Sequence, residues 1–299
     1  MDRSELGVQA FDLQPASPER PVSRVIEDRV AQHYTHGELE RAILDAVVAS
    51  GKDPERLAPA DLGPVDEFHV GGRQATTDFA AYLPFRDGSH LLDIGSGLGG
   101  GSRYFADARG CRVTGIDLTE EYVRTAEALT RRVGLSERVF YRQGSALELP
   151  FADRSFDGAY MLHVGMNIED KGKLFAEVAR VLKPAATFGI YDIMRIGKGE
   201  LAFPVPWAAS PETSFLQGPA DYRRLLEGAG FTIIHERSRR DFAIAFFNDL
   251  RARAAANGGP PPLGLQILMG QTAGQKVANM IANIEGGLIA PTELVARAS

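Results

Sequence analysis

The stretch Asp93-Ile94-Gly95-Ser96-Gly97-Leu98-Gly99-Gly100 places one carboxylate just ahead of four glycines. Glycines at this density let a backbone approach a ligand closely, and the N–H groups opening a following helix point at it. The spacing Gly95, Gly97, Gly100 matches the dinucleotide fingerprint, which taken alone is compatible with NAD. Asp93 argues for different chemistry. A carboxylate gains nothing beside an anionic pyrophosphate, whereas a cofactor carrying an ammonium and a sulfonium is attracted to it. Ser96 and Gly99 belong to the same loop and count with its cofactor contacts.

Three later positions add to this. Asp117 ends the next apolar strand, where a carboxylate can accept two hydrogen bonds from a ribose diol; its alternative is a charge at a helix N-terminus. Gly144-Ser145-Ala146 follows a third strand, at a place where backbone groups and a side-chain acceptor can reach an adenine edge; its alternative is a polar strand-end loop. His163 closes a fourth strand, where cofactor and acceptor meet. An imidazole there can take a proton from an attacking amine or hydroxyl, or only orient a neighbour. His33, Tyr34 and His36 cluster near the end of a first helix without metal-site spacing, so no metal is expected.

The elements that must position these residues follow from periodicity. Helical spacing marks 22–34, 38–50 and 73–82, with Pro54, Pro59 and Pro64 breaking the chain between them. Residues 1–21, with Pro15, Pro18 and Pro21, read as a loose arm. From 89 onward strands and helices alternate: strands over 90–94, 111–116, 139–142, 156–162, 187–191 and 231–235, helices over 102–108, 119–133, 169–182 and 219–229. Thr119 suits an N-cap, with Glu120 and Glu121 in the first turn. Two helices, 242–256 and 272–284, precede a closing strand at 293–297. The pattern predicts an α/β, doubly wound, Rossmann-like seven-stranded sheet, with a helical N-terminal cap and a helical insertion near the C-terminus. The expected division is an arm and cap over 1–70, a cofactor-binding core over 71–240, and the insertion with its closing strand over 241–299.

Composition restricts the partners. The chain has 299 residues, 33 Lys and Arg against 39 Asp and Glu, and a net charge of −6. No basic run marks a nucleic-acid surface, and no apolar run is long enough to span a bilayer. The single cysteine, Cys111, reads as a small buried hydrophobe. A cytoplasmic protein is expected, acting on a small molecule, with no nucleic acid or membrane partner and room for a homodimer.

Four motifs in order carry a resemblance. Asp93–Gly100, Val113-Thr114-Gly115-Ile116-Asp117-Leu118-Thr119, Leu149-Pro150-Phe151-Ala152-Asp153-Arg154-Ser155-Phe156-Asp157 and Arg180-Val181-Leu182-Lys183-Pro184 are similar to motifs of the class I S-adenosylmethionine (SAM) methyltransferases. Over about 65–237 the chain resembles the sarcosine/dimethylglycine and phosphoethanolamine N-methyltransferase-like group. The resemblance implies SAM as cofactor, with Asp93, Gly95 and Gly97 along its methionine part, Asp117 and Leu118 at the ribose, and Ser145 and Ala146 flanking the adenine. It also implies that His163 pairs with a tyrosine over the methyl group, Tyr34 being the candidate. The turn Gly71–Thr76, with Gly72, would close over the cofactor. Ser145 stands where the family usually has Asp, and Ala185-Ala186 where it has Gly-Gly. The acceptor expected on this resemblance is an amine nitrogen; a sugar, phenol or quinone-like ring, or a SAM-binding protein without transferase activity, are the alternatives. The loop Phe203–Trp207 with Phe215 is a candidate apolar or aromatic wall over the acceptor, core packing being the commoner reason for such residues.

Overall fold

The computed structural model describes residues 22–299. The arm read over 1–21 lies outside the described residues. Four helices come first: α1 (Val22–His33), α2 (Leu39–Ala49), α3 (Pro59–Asp66) and α4 (Gly72–Ala80). Then β1 (His90–Ile94), α5 (Gly100–Arg109), β2 (Arg112–Asp117), α6 (Glu120–Arg132), β3 (Val139–Gln143) and β4 (Phe156–Leu162) alternate. They are followed by α7 (Lys171–Val181), β5 (Leu182–Arg195), α8 (Pro219–Gly228) and β6 (Phe231–Ser238). Helices α9 (Arg240–Ala256), α10 (Gln266–Met269) and α11 (Ala273–Glu285) lead into β7 (Ile289–Ala298).

The sheet order is β3-β2-β1-β4-β5-β7-β6. Strands β1 to β5 run parallel, and β7 is antiparallel to both β5 and β6. The chain order reverses between β1 and β4, which opens a crevice beyond their carboxyl ends. Both faces of the sheet are covered, so β1 is apolar on both sides. Leu92 and Ile94 pack with α7 and α8 residues such as Phe175 and Leu226, while Leu91 packs on the opposite face with Phe79 and Phe105. Strand alternation puts Asp93 on the Leu91 face, toward α5.

Several boundaries differ from the periodic reading, for identifiable reasons. Strand β5 extends well beyond 187–191 because β7 pairs with it from Thr187 to Arg195. The segment broken by prolines contains α3, opened by Pro59 at its first position, where a missing N–H costs nothing. The Asp61 carboxylate accepts the Ala58 N–H at 2.8 Å and closes that first turn. Thr119 occupies the N-cap position of α6 but makes no side-chain cap bond; Asp117 Oδ1 accepts the Thr119 N–H instead, at 2.9 Å. Glu121 serves a different helix, accepting the Leu39 N–H at 3.0 Å where α2 begins. Cys111 is buried, as a small hydrophobe would be.

Candidate active site

A cavity of about 1350 Å³, its open mouth included, sits at the crevice between β1 and β4. Its floor is the glycine loop. The N–H groups of Gly95 and Ser96 both donate to the Ile116 carbonyl, at 2.8 and 3.0 Å, which fastens the loop to the end of β2. Asp117 Oδ2 accepts the Gly97 N–H at 2.8 Å. The same carboxylate therefore braces both the loop and the start of α6, and it lines the cavity.

Asp93 is buried and hydrogen-bonded to Ser102 Oγ at 2.6 Å, and no cation among the described residues pairs with it. Burial pushes its carboxyl up to about 7, and the negative charges of Asp117 and Glu67 add to the shift. A cationic ligand would relieve this cost. Ser96 Oγ and His163 Nε2 are buried polar atoms without partners, and both residues line the same cavity. A glycine cradle, an unpaired buried carboxylate and two orphaned polar atoms suit a ligand that is part cationic and part polar.

The cavity gathers Tyr34, Asp93, Gly95, Ser96, Gly97, Asp117, Leu118, Ala146 and His163 of the residues read from the sequence. Ser145 sits just behind the wall: its hydroxyl hydrogen-bonds the Glu27 carboxylate of α1 and accepts the Leu147 N–H at 3.0 Å. Gly99 lies beneath the loop, against the Tyr141 hydroxyl, and Gly72 opens α4 behind the cavity. Tyr34 and His163 share the cavity without touching. The Tyr34 hydroxyl donates to Asn167 Oδ1 at 2.9 Å. The Asn167 amide in turn donates to the Trp207 and Thr213 carbonyls at 2.9 and 3.1 Å. Trp207 and Val205 are buried in the apolar cluster of the C-terminal helices, so that loop supports Asn167 from behind.

His163 stands at φ 58°, in the left-handed region that a bulky residue enters at a cost. Its N–H donates to the Tyr191 carbonyl at 2.7 Å, which holds the turn at the end of β4. Burial, with His69 beside it, lowers its pKa well below the usual value, so the ring is neutral near pH 7. Its ring centroid lies 5.0 Å from that of Tyr191 and 5.9 Å from that of His69.

Sequence reading missed His69, Asn167, Phe68 and Leu268, all of which line the cavity. Asn167 had a signal, because it follows a strand that ends at the crevice. Leu268 had none: it comes from α10, in the C-terminal insertion, and reaches the wall through packing against α2.

Residues 92–190 match the family model described as a methyltransferase domain. An O-methyltransferase of Aspergillus sclerotiorum is 29% identical over 181 residues, covering 59% of this chain and 67% of that protein. The erythromycin 3''-O-methyltransferase of Saccharopolyspora erythraea is 31% identical over 166 residues, 52% of this chain and 54% of that protein. The chain thus spans from about half to two thirds of the length of these relatives. Phosphoethanolamine N-methyltransferase 2 of Haemonchus contortus, solved in complex with SAM, has a TM-score of 0.63 at 19% identity over 78% of this chain and 54% of its own, a likeness of fold. Motifs, sheet order and family match agree: the chain carries a class I SAM-dependent methyltransferase domain, and SAM is that domain's cofactor.

Proposed function

We propose that the protein methylates a hydroxyl oxygen of a small, largely apolar molecule. The observation that carries this reading is the buried, unpartnered His163 Nε2 in a cavity that also presents the apolar side chains Phe68, Leu162, Val164, Ile168 and Leu268. A hydroxyl oxygen can hydrogen-bond with that nitrogen and lay its carbon skeleton against those apolar side chains. The O-methyltransferases among the curated relatives support the same acceptor class.

Bound on the glycine loop, SAM supplies a methyl group on a sulfonium whose sulfur keeps the bonding electron pair as the methyl leaves. The chain's own contribution is placement and exclusion of water, worth several kcal/mol of barrier when the reacting atoms are held in line. Asp93 attracts the cationic end of SAM, Gly95 and Gly97 let it approach the backbone, and Asp117 with Leu118 takes the ribose. Ala146, with Ser145 behind it, borders the adenine. Tyr34 fixes Asn167 and thereby the turn that follows His163.

A specific observation favours the amine acceptor as a second reading. Among the described residues, every carboxylate or cationic side chain along the cavity is acidic: Glu27, Asp66, Asp93, Asp117, Glu169 and Asp170. That field attracts an ammonium as readily as it attracts SAM. A screen over phenols, alcohols and amines, read as S-adenosylhomocysteine formed, separates the two. Turnover of hydroxyl acceptors above amines is the expected result, and turnover of amines alone overturns the hydroxyl reading.

A further inference from the structure

His69 follows Phe68 in the link between α3 and α4, and its ring lines the cavity beside His163. It is buried, and its Nε2 is fully engaged. That nitrogen lies 3.2 Å from the Gly72 carbonyl oxygen and 3.0 Å from Thr76 Oγ1. A carbonyl can only accept, so Nε2 carries the hydrogen and Nδ1 is left with the lone pair. Thr76 fits this tautomer, because its own hydroxyl proton goes to Glu67 Oε2 at 2.7 Å. The Glu67 carboxylate is also 3.5 Å from His69 Nε2, with Arg73 Nε 2.9 Å from its other oxygen. The left-handed Gly71, at φ 92°, turns the chain so that residues three and seven positions on from His69 face it.

A base held in one tautomer by acceptors behind it, with a carboxylate to balance the charge it gains, is the arrangement that proton abstraction requires. His163 lacks it. Among the described residues the buried His163 Nε2 has no hydrogen-bond partner, so no acceptor or donor behind that nitrogen holds the ring in one tautomer.

We propose that His69, oriented by Gly72, Thr76 and Glu67, takes the proton from the methyl acceptor, while His163 aligns it. This deepens the hydroxyl reading above and rests on it. The acceptor O–H bond breaks toward His69 Nδ1, and the electron pair it leaves on oxygen balances the new O–CH3 bond. Burial holds the His69 pKa down to about 4, so the ring is neutral and ready to accept at pH 7. A weak base suffices, because an oxygen gaining a methyl acquires oxonium character and its proton becomes strongly acidic. As the imidazolium forms, Glu67 stands close enough to stabilise it.

The test compares wild type, His69→Gln, Thr76→Val and Thr76→Ser on phenols of graded acidity, at saturating SAM. His69→Gln is expected to lower kcat about 100-fold on the least acidic phenol, in the range typical of a lost general base. The loss should shrink on nitrophenols, which need less help, while SAM affinity by calorimetry stays within threefold. Thr76→Val should lower kcat about tenfold and Thr76→Ser should restore it. Nitrogen-15 spectra of the ligand-free protein should show His69 as the neutral tautomer with hydrogen on Nε2, a readout independent of turnover. If His69→Gln does not fold, the Thr76 pair and the tautomer carry the decision. A kcat within threefold of wild type, a loss independent of phenol acidity, or hydrogen on Nδ1 overturns the proposal. Wild type that methylates only amines overturns the hydroxyl reading instead; His69→Gln is then compared on that amine, and an unchanged kcat overturns the His69 role as well.

Discussion

Arg103 Nη2 lies 2.6 Å from Asp66 Oδ2, with both side chains buried. This ion pair ties α5, the helix opened by the glycine loop, to α3. The same guanidinium reaches the Leu98 carbonyl at 2.7 Å and Thr130 Oγ1 at 3.0 Å, so one side chain braces the loop from within. Removing one partner of a buried pair leaves the other charge uncompensated, which costs about 3–5 kcal/mol. Arg103→Met is therefore expected to destabilise the protein by that amount and to weaken SAM binding through disorder at Leu98. Urea unfolding with and without SAM measures both. Stability within 1 kcal/mol of wild type, a margin well below that about 3–5 kcal/mol penalty, would show that the pair does not brace the loop.

Asp93 moves from an ordinary value of 3.8 to about 7 on folding, so the folded, ligand-free chain holds a proton there that the unfolded chain releases. The ligand-free fold is accordingly favoured by this group below pH 3.8 and loses that contribution as pH rises toward 7. A cationic ligand has the opposite sign, since it needs the ionised carboxylate. SAM affinity should fall by up to about tenfold per unit as pH drops below 7. Asp93→Asn should bind SAM at least about tenfold more weakly at pH 8, the loss of about 1.4 kcal/mol of charge attraction, and should lack the step near 7. Calorimetric titrations across pH 5.5–8 decide it, within the window about the shifted value. An affinity in wild type that is flat over that range removes Asp93 from the cofactor's cation.

Two glycines of the loop separate backbone strain from crowding. Gly97 has φ 54° and open space where a Cβ would stand, whereas Gly99 has φ 82° and would drive a Cβ into the Tyr141 hydroxyl. Gly97→Ala should therefore cost only the left-handed conformation, about 1–2 kcal/mol, and leave a folded protein. Gly99→Ala adds overpacking of about 1–3 kcal/mol and shifts Tyr141, which contacts Thr130 at 3.1 Å. Thermal unfolding of both variants should rank Gly99→Ala clearly below Gly97→Ala. The reverse order contradicts the geometry.

The glycine loop and the strand ends were legible because local rules govern them. Apolar runs bounded by glycines set β1 and β2, and the chain reversal at the crevice then fixes what stands next to Asp93 and Asp117. His69 was not legible. Its tautomer depends on a carbonyl three residues away and on a hydroxyl at Thr76, brought near only by the turn at Gly71. The Phe203–Trp207 loop illustrates the converse: its aromatic content suggested a wall over the acceptor, but Val205 and Trp207 have a drier place to go among Met280, Ile281 and Ile284. Side chains that far apart in sequence meet only through tertiary packing, which periodicity does not encode.

Ala185 stands where the resembled family has glycine, and its φ is 62°. Beyond it, β5 pairs with β4 from Thr187 to Tyr191, after a register shift between Phe156 and Gly158. The turn is needed to carry Pro184 past that irregularity, so the backbone keeps its left-handed residue even with a methyl group on it. Because Ala185 is exposed, no packing is gained in return. Ala185→Gly should relieve the Cβ clash, at about 1–2 kcal/mol, less the greater entropy a glycine loses on folding, about 0.5–1 kcal/mol. A net gain of about 0.5–1 kcal/mol is expected, seen as a raised urea midpoint with an unchanged slope. Turnover should not move, since Ala185 does not line the cavity. A lowered midpoint would mean that the turn relaxes out of the left-handed region in solution and that the alanine is not strained.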